Sequence, residues 1–274
     1  MPVAISRRSK GEDGGYILAT VERAIGVLEV FSRAKPELTL NEVALAAGLH
    51  KSTALRFLAT LRSRGLINKD EDTNRYRLGW ALIGLAEIAK IRSGLVAEAL
   101  PTMRRIREAL NETVFLSVRV GDMRADLEQL ESTRDVRRVI ALGVQKPLYT
   151  GCGSKALLAG MTDEDIADYI ARTKFTALTA RTITEPGALR EEIEKIRRQG
   201  FAESFDERNS GGAGASAPVY DSTEKVVASL TVSIPVNRFT EEVRRKSIDL
   251  VVEGARVVSA QLGSGKAGRH AHAG

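Results

Sequence analysis

Residues 39–78 read TLNEVALAAGLHKSTALRFLATLRSRGLINKDEDTNRYRL, and they restrict the fold more tightly than any other stretch of the chain. Thr39 and Glu42 stand at the spacing of a capping box, in which each side chain satisfies a backbone N–H at the helix entrance. A helix is therefore expected to begin near Leu40. Its Val43, Ala44, Ala46 and Ala47 form a small-residue side suited to close helix crossing, and Gly48 supplies the permissive backbone for a sharp turn. A second helix is expected from Ser52 or Thr53, both good N-cap types. Within it Ala54, Phe57, Leu58 and Leu61 recur at i, i+3, i+4 and i+7, which marks the inward face. Gly65 ends that helix, Leu66 and Ile67 open an extended segment, and a polar turn over 70–74 leads into Arg75, Tyr76, Arg77 and Leu78. Cap, glycine turn, inward stripe and hairpin, in this order, predict a winged helix-turn-helix.

The outward face of the second helix carries Lys51, Ser52, Leu55, Arg56 and Ser63, and between His50 and Lys69 there are five basic residues and no acidic one. On any exposed helix five cations would be an ordinary solvated face. On the second helix of this motif they attract phosphates, helped by the positive helix N-terminus. The expected DNA contacts are Thr39, Lys51, Ser52, Thr53, Leu55 and Arg56, with Arg75 reaching the backbone or minor groove from the wing tip. The net charge of +6 agrees with a polyanionic partner such as a double-stranded DNA operator. Residues 1–79 hold 13 basic against 9 acidic residues, and the rest hold 28 against 26, so the excess sits in the smaller segment.

Other classes are disfavoured. No apolar run approaches the roughly 20 residues of a membrane span, and MPVAISRRSKGEDGG has no apolar core for a signal peptide. A cytoplasmic protein without membrane partner is expected. Cys152 is the lone cysteine, so no intramolecular disulfide is available. Of three histidines, His50 lies in the helix-turn-helix turn and His270 and His272 in the tail, which leaves none for a Ser/His or Cys/His pair or a His-containing metal site in the long C-terminal segment. No metal, no cofactor and no catalytic residue is expected.

Residues 1–15 and 264–274 read as flexible ends, 16–79 as the DNA-binding domain, 80–93 as a linker helix and 94–263 as a second domain. Val21, Ala24, Leu28 and Phe31 form the inward stripe of a first helix. In the linker Ile83 and Ile88 widen the apolar surface, either for a partner subunit or for burial within one subunit. Beyond it, a helix is expected over 95–110, strands over 113–120, 124–130 and 138–142, and helices from 153, 163 and 186. Strands over 201–205, 215–220 and 226–234 and a closing helix over 241–262 follow. This order predicts an α+β domain, an antiparallel sheet covered by helices.

VERAIGVLEVFS, the helix-turn-helix, TNRYRLGWALIGL, PLYTGCGSKALLAG, TARTITEPGALREEIEKIRRQGFA and APVYDSTEKVVASLTVSIP together resemble the IclR family of bacterial transcription regulators, over about residues 20–262. The resemblance implies a winged helix-turn-helix, a linker helix and a C-terminal GAF-like effector domain. It also implies a homodimer or dimer of dimers and control by a small-molecule effector, often an organic or aromatic acid. Carried over by position, the effector site comprises Cys152, Gly153, Ser204, Gly212, Gly214, Thr231 and Ser233. Ser204 stands where an acidic residue is frequent, and Gly212 and Gly214 replace bulkier side chains, so NSGGAGASAP is expected to give a roomier pocket or a looser loop. From the residues alone, Gly151-Cys152-Gly153-Ser154 before a helix is either a cradle of backbone N–H groups for a carboxylate or a close helix–sheet contact. Two rivals stand beside the sensor: an enzyme with a basic appendage, and an architectural DNA binder whose second domain only dimerises.

Overall fold

The computed structural model describes residues 18–32, 34–91 and 94–265. The expectations for the first 15 residues, for Ser93 and for the histidine-bearing tail from 266 onward lie outside them. The chain divides into two compact units, Met1–Arg92 and Ser93–Gly274.

The first unit contains α1 (Ala19–Glu29), β1 (Glu37–Thr39), α2 (Leu40–Ala46), α3 (Lys51–Ser63), β2 (Ile67–Lys69), β3 (Arg75–Leu78) and α4 (Ala81–Ile91). The capping box forms as expected: Thr39 Oγ1 accepts from the Glu42 amide and the Glu42 carboxylate accepts from the Thr39 amide at 2.8 Å. The next helix starts one residue earlier than expected, at Lys51, because His50 adopts the extended N-cap backbone and its ring bonds Ser52 instead of leaving Ser52 to cap. β1 is an unexpected third strand, giving an antiparallel sheet in the order β1-β3-β2. Val27, Phe31, Leu38, Val43, Leu58, Leu61, Ile67 and Tyr76 are the core, each burial being worth about 1.5–3 kcal/mol. Of the expected stripe of α1, Val21 is 52% exposed, and Val27, outside that stripe, is fully buried. A Cβ at Gly79 would lie 2.0 Å from the Gly65 carbonyl oxygen, and Gly65 itself has φ +68°, so both glycines are needed where wing meets helix.

The second unit runs α5 (Leu95–Leu110), β4 (Thr113–Val120), β5 (Met123–Leu130), β6 (Lys146–Pro147), α6 (Cys152–Ala159), α7 (Asp163–Arg172), α8 (Pro186–Gln199), β7 (Ala202–Phe205), β8 (Gly212–Tyr220), β9 (Val226–Pro235), a 3-10 turn (Val236–Arg238) and α9 (Glu241–Gln261). Six antiparallel strands form one sheet in the order β6-β5-β4-β9-β8-β7. Strand alternation gives this sheet two unlike faces. Ala213, Ala215, Ala217, Leu230, Val232 and Ile234 join the core with Ala99, Met103 and Ile106 of α5 and Val251 and Val258 of α9. The opposite face offers Gly214, Ser216, Ser229, Thr231 and Ser233, and α6 lies on it, since a Cβ at Gly153 would meet Thr231 and Ser229.

Two expectations fail here. Residues 138–142 form no strand among the described residues, because side chains rather than a ladder satisfy the backbone: Gln129 Oε1 accepts from the Ile140 amide and Thr113 Oγ1 donates to the Arg138 carbonyl. Nor is NSGGAGASAP a loose loop, since from Gly212 onward it is strand β8, held by β7 and β9. Its small residues permit close packing; a Cβ at Gly214 would lie 2.3 Å from the Val232 carbonyl oxygen.

Candidate functional site

In the first unit α3 exposes Lys51, Ser52, Leu55 and Arg56, with Thr53 half-buried, and turns Ala54, Leu58 and Leu61 inward. Neither Lys51 nor Arg56 has an ion-pair partner among the described residues, so both are available to phosphates or bases. Arg62 differs: it pairs with Glu71 of the wing at 2.9 Å, as does Lys69 at 3.0 Å. Those hydrogen bonds, the Lys69 one foremost, hold the Glu71 carboxyl below the ordinary glutamate range. The wing tip is therefore acidic, carrying Asp70, Glu71 and Asp72, and Arg75 does not project from it. Arg75 begins β3, where its guanidinium donates to the Glu37 carbonyl at 3.3 Å and lies 3.6 Å from the Glu42 carboxylate. Thr39 forms the α2 cap, its hydroxyl hydrogen bonded to Glu42 at 2.9 Å.

In the second unit a cavity of about 270 Å³ opens on the hydroxyl-bearing face of the sheet. Cys152, Ser204, Gly212, Thr231 and Ser233 all line it. Gly153 and Gly214 do not; they lie beside it, where each permits an approach that a Cβ would block. The Cys152 thiol is buried, and burial pushes its pKa up against a hydrogen bond with Ser204, so it is a poor nucleophile. The Thr231 hydroxyl is 2.8 Å from Ser216 Oγ.

The sequence reading missed the charged lining. Arg124 on β5, Arg138 in the following connection, Lys146 on β6 and Arg208 after β7 converge on this cavity. Arg124 lies over the Phe115 ring at 5.4 Å and 3.2 Å from Asp126, a buried carboxylate that also binds Lys146 and accepts from Ser117. Burial first, then repulsion from Arg124, push the Lys146 pKa down to about 8 against the pull of Asp126. Burial, then Arg124, bring Arg208 down to about 10, with Arg138 also repelling it.

The helix entrance behaves differently from a free carboxylate cradle. Glu207 already occupies it, accepting from the Gly151 amide at 3.0 Å and from the buried Lys155 ammonium at 2.6 Å. Lys155 also donates to Glu192 of α8 at 2.8 Å. The Ser154 and Lys155 amides turn back to the Gly151 carbonyl, so among the described residues only the Cys152 and Gly153 amides of this turn lack a partner. Among the described residues no His, Cys, Asp or Glu cluster suits a metal ion, and no helix is long and apolar enough to cross a membrane.

Two family models match this chain: the IclR helix-turn-helix domain over residues 20–71, and the bacterial transcriptional regulator IclR C-terminal domain over residues 89–260. The chain belongs to the IclR family. It is 32% identical over 248 residues to the HTH-type transcriptional regulator BhcR of Paracoccus denitrificans, covering 90% of this chain and 88% of that protein. The crystal structure of an IclR regulator from Alicyclobacillus acidocaldarius superposes with a TM-score of 0.80 at 25% identity, covering 90% of this chain and all of that one (100%). An IclR homologue from Microbacterium hydrocarbonoxydans, crystallised with 4-hydroxybenzoate, shares the fold with a TM-score of 0.78 at 23% identity, over 89% of this chain and 99% of that one. The protein is thus an IclR-type transcriptional regulator with a helix-turn-helix domain and an effector-binding domain.

Proposed function

We propose that this IclR regulator binds a partly palindromic operator as a homodimer and that a small organic acid in the second unit alters its operator affinity. The observation that carries the acid is the lining itself: four cations beside hydroxyls, two of them in contact with Asp126 behind the lining, while the lining acid Glu207 is engaged by Lys155. Ser204, Thr231 and Ser233 orient the acid, and a guanidinium takes its carboxylate in a charge-assisted pair. Lys51, Ser52, Thr53, Leu55 and Arg56 of α3 enter the major groove. Arg75 contributes from the base of the wing and Thr39 from its capping position. The dimer reading is supported by the linker helix, where Ile83, Leu85 and Ile88 are all more than half exposed, with Trp80 just before it at 76%.

Calorimetry with a panel of small carboxylates, paired with operator titration, tests this reading. Ser233→Ala should weaken the effector by about 0.5–1.5 kcal/mol, the worth of one hydrogen bond, while effector-free operator affinity stays unchanged. Absence of any acid binding would favour the architectural reading, in which the second domain senses nothing.

A further inference from the structure

The cavity carries more positive charge than one carboxylate neutralises. Arg124 and Lys146 share Asp126, whereas Arg138 and Arg208 have no ion-pair partner among the described residues. Asp126 lies behind the lining, and the acid that does line the cavity, Glu207, is already held by Lys155. The Arg138 Nε is buried without a hydrogen-bond partner. Like charges crowd here in a partly desolvated site, and the one carboxylate among them, Asp126, is in contact with Arg124 and Lys146 and attracts Arg208 only at longer range.

The cations also sit at separate places. Arg124 reaches the α6 entrance, where a Cβ at Gly153 would lie 2.8 Å from its Nη1 and equally near Thr231 Oγ1. Arg138 reaches the first residue of β8, where a Cβ at Gly212 would lie 3.0 Å from its Nη2. Phe115, Val139, Ile140 and Val144 supply an apolar wall. A single compact dianion such as phosphate would leave that wall unused and reach one of the two positive ends.

Resting on the acid reading above, we propose that the effector is a small dicarboxylate, one carboxylate held by Arg138 and Arg208 and the other on the Arg124 side beside Thr231 and Ser233. Its hydrocarbon chain lies on the apolar wall. The guanidinium groups suit carboxylates, and the ligand supplies two of the negative charges the cavity lacks.

The test is calorimetry on the full-length protein with succinate, glutarate and adipate, each against its monoacid counterpart butyrate, valerate or hexanoate. A diacid of fitting length should bind about 10- to 100-fold tighter than its monoacid, the range for one added ionic hydrogen-bonded group. Arg138→Gln and Arg208→Gln should erase that preference. Their ligand-free melting temperatures should hold or rise, because each removes an unpaired, partly buried charge; a purely structural arginine would give a fall. Equal affinity for diacid and monoacid, with both abolished by Arg124→Ala, would overturn the dicarboxylate and leave the acid site standing. No binding by any of the six acids would overturn both. Glycerol phosphate binding more tightly than every diacid would overturn the dicarboxylate in favour of one compact dianion.

Discussion

Replacing Lys155 by Met is expected to destabilise the second unit by about 3–5 kcal/mol at neutral pH, the cost of breaking a buried ion pair by removing one partner. Lys155 is 1% exposed and bridges Glu207 and Glu192, at 2.6 and 2.8 Å. Met keeps the length and removes the charge, so the loss is electrostatic rather than a cavity. Glu207, 8% exposed, is then left with the Gly151 amide as its remaining donor. Burial opposes the charge on Lys155, but Glu207 and Glu192 outweigh it and hold the ammonium above the ordinary lysine value. A raised lysine contributes fully below its unfolded pKa and loses that contribution only as pH climbs through the folded one, so all of it is present at pH 7. Thermal unfolding followed by circular dichroism reads the change, whereas the lone tryptophan, Trp80, belongs to the first unit. At about 2–4 °C per kcal/mol for a unit of this size, the melting temperature should fall by roughly 6–20 °C. Lys155→Met combined with Glu207→Gln should recover most of the loss, because no buried charge then lacks a partner. A loss under about 1 kcal/mol, or a double variant no more stable than the single one, would refute the reasoning.

Arg56→Ala is expected to cost about 1–3 kcal/mol of operator affinity and to relax specificity at one base pair; in a binding titration, equal loss on random DNA would make Arg56 a phosphate contact, and no loss on either would contradict the docking of α3. Lys146 holds its proton less firmly folded, near pH 8, than unfolded, so between pH 8 and 9.5 the unfolded chain binds more protons and stability should rise, by at most about 1 kcal/mol per pH unit. Urea titrations across that window should show the rise in the native sequence and its absence in Lys146→Met; a flat native profile would contradict the assignment.

What could be read from the sequence was what is local. The capping box, the Gly48 turn and the Ala54–Leu58–Leu61 stripe each depend on residues within seven positions of one another, and all three appear in the structure. The run from Arg138 to Leu142 looked like a strand because bulky apolar residues fill it, yet beside β4 and β5 its backbone bonds to the Thr113 and Gln129 side chains instead of to a ladder. The cations of the cavity were hidden for another reason. Positions 124, 138, 146 and 208 follow no period, and the charges of residues 80–274 nearly balance, so each read as solvated surface. One faint signal was present: Arg124 and Asp126 share a strand face opposite Ala125 and Leu127, but an exposed sheet edge shows the same alternation. Only the fold, which sets β5 and β6 at one side of the sheet and the β7–β8 connection at the other, brings these charges to one cavity.

That concentration of charge bears on how the regulator can work. An anion that neutralises Arg138 and Arg208 will stabilise the second unit whatever else it does, by about 2.7 kcal/mol at a hundredfold excess over its dissociation constant. Stabilisation alone, however, does not regulate. A ligand shifts operator binding only by its differential affinity for the DNA-bound and free states of the protein, and linkage makes that coupling reciprocal. Operator DNA must therefore change effector affinity by the same factor by which effector changes operator affinity. The buried Glu207–Lys155–Glu192 link bears on this, because it fixes the turn that carries Arg208 to both α6 and α8, and Thr179 and Thr182 clasp the same turn through the Glu207 carbonyl. A ligand charge that pulls on Arg208 acts on a turn with little freedom to yield locally, so the response passes to the helices holding it rather than dissipating in a loop.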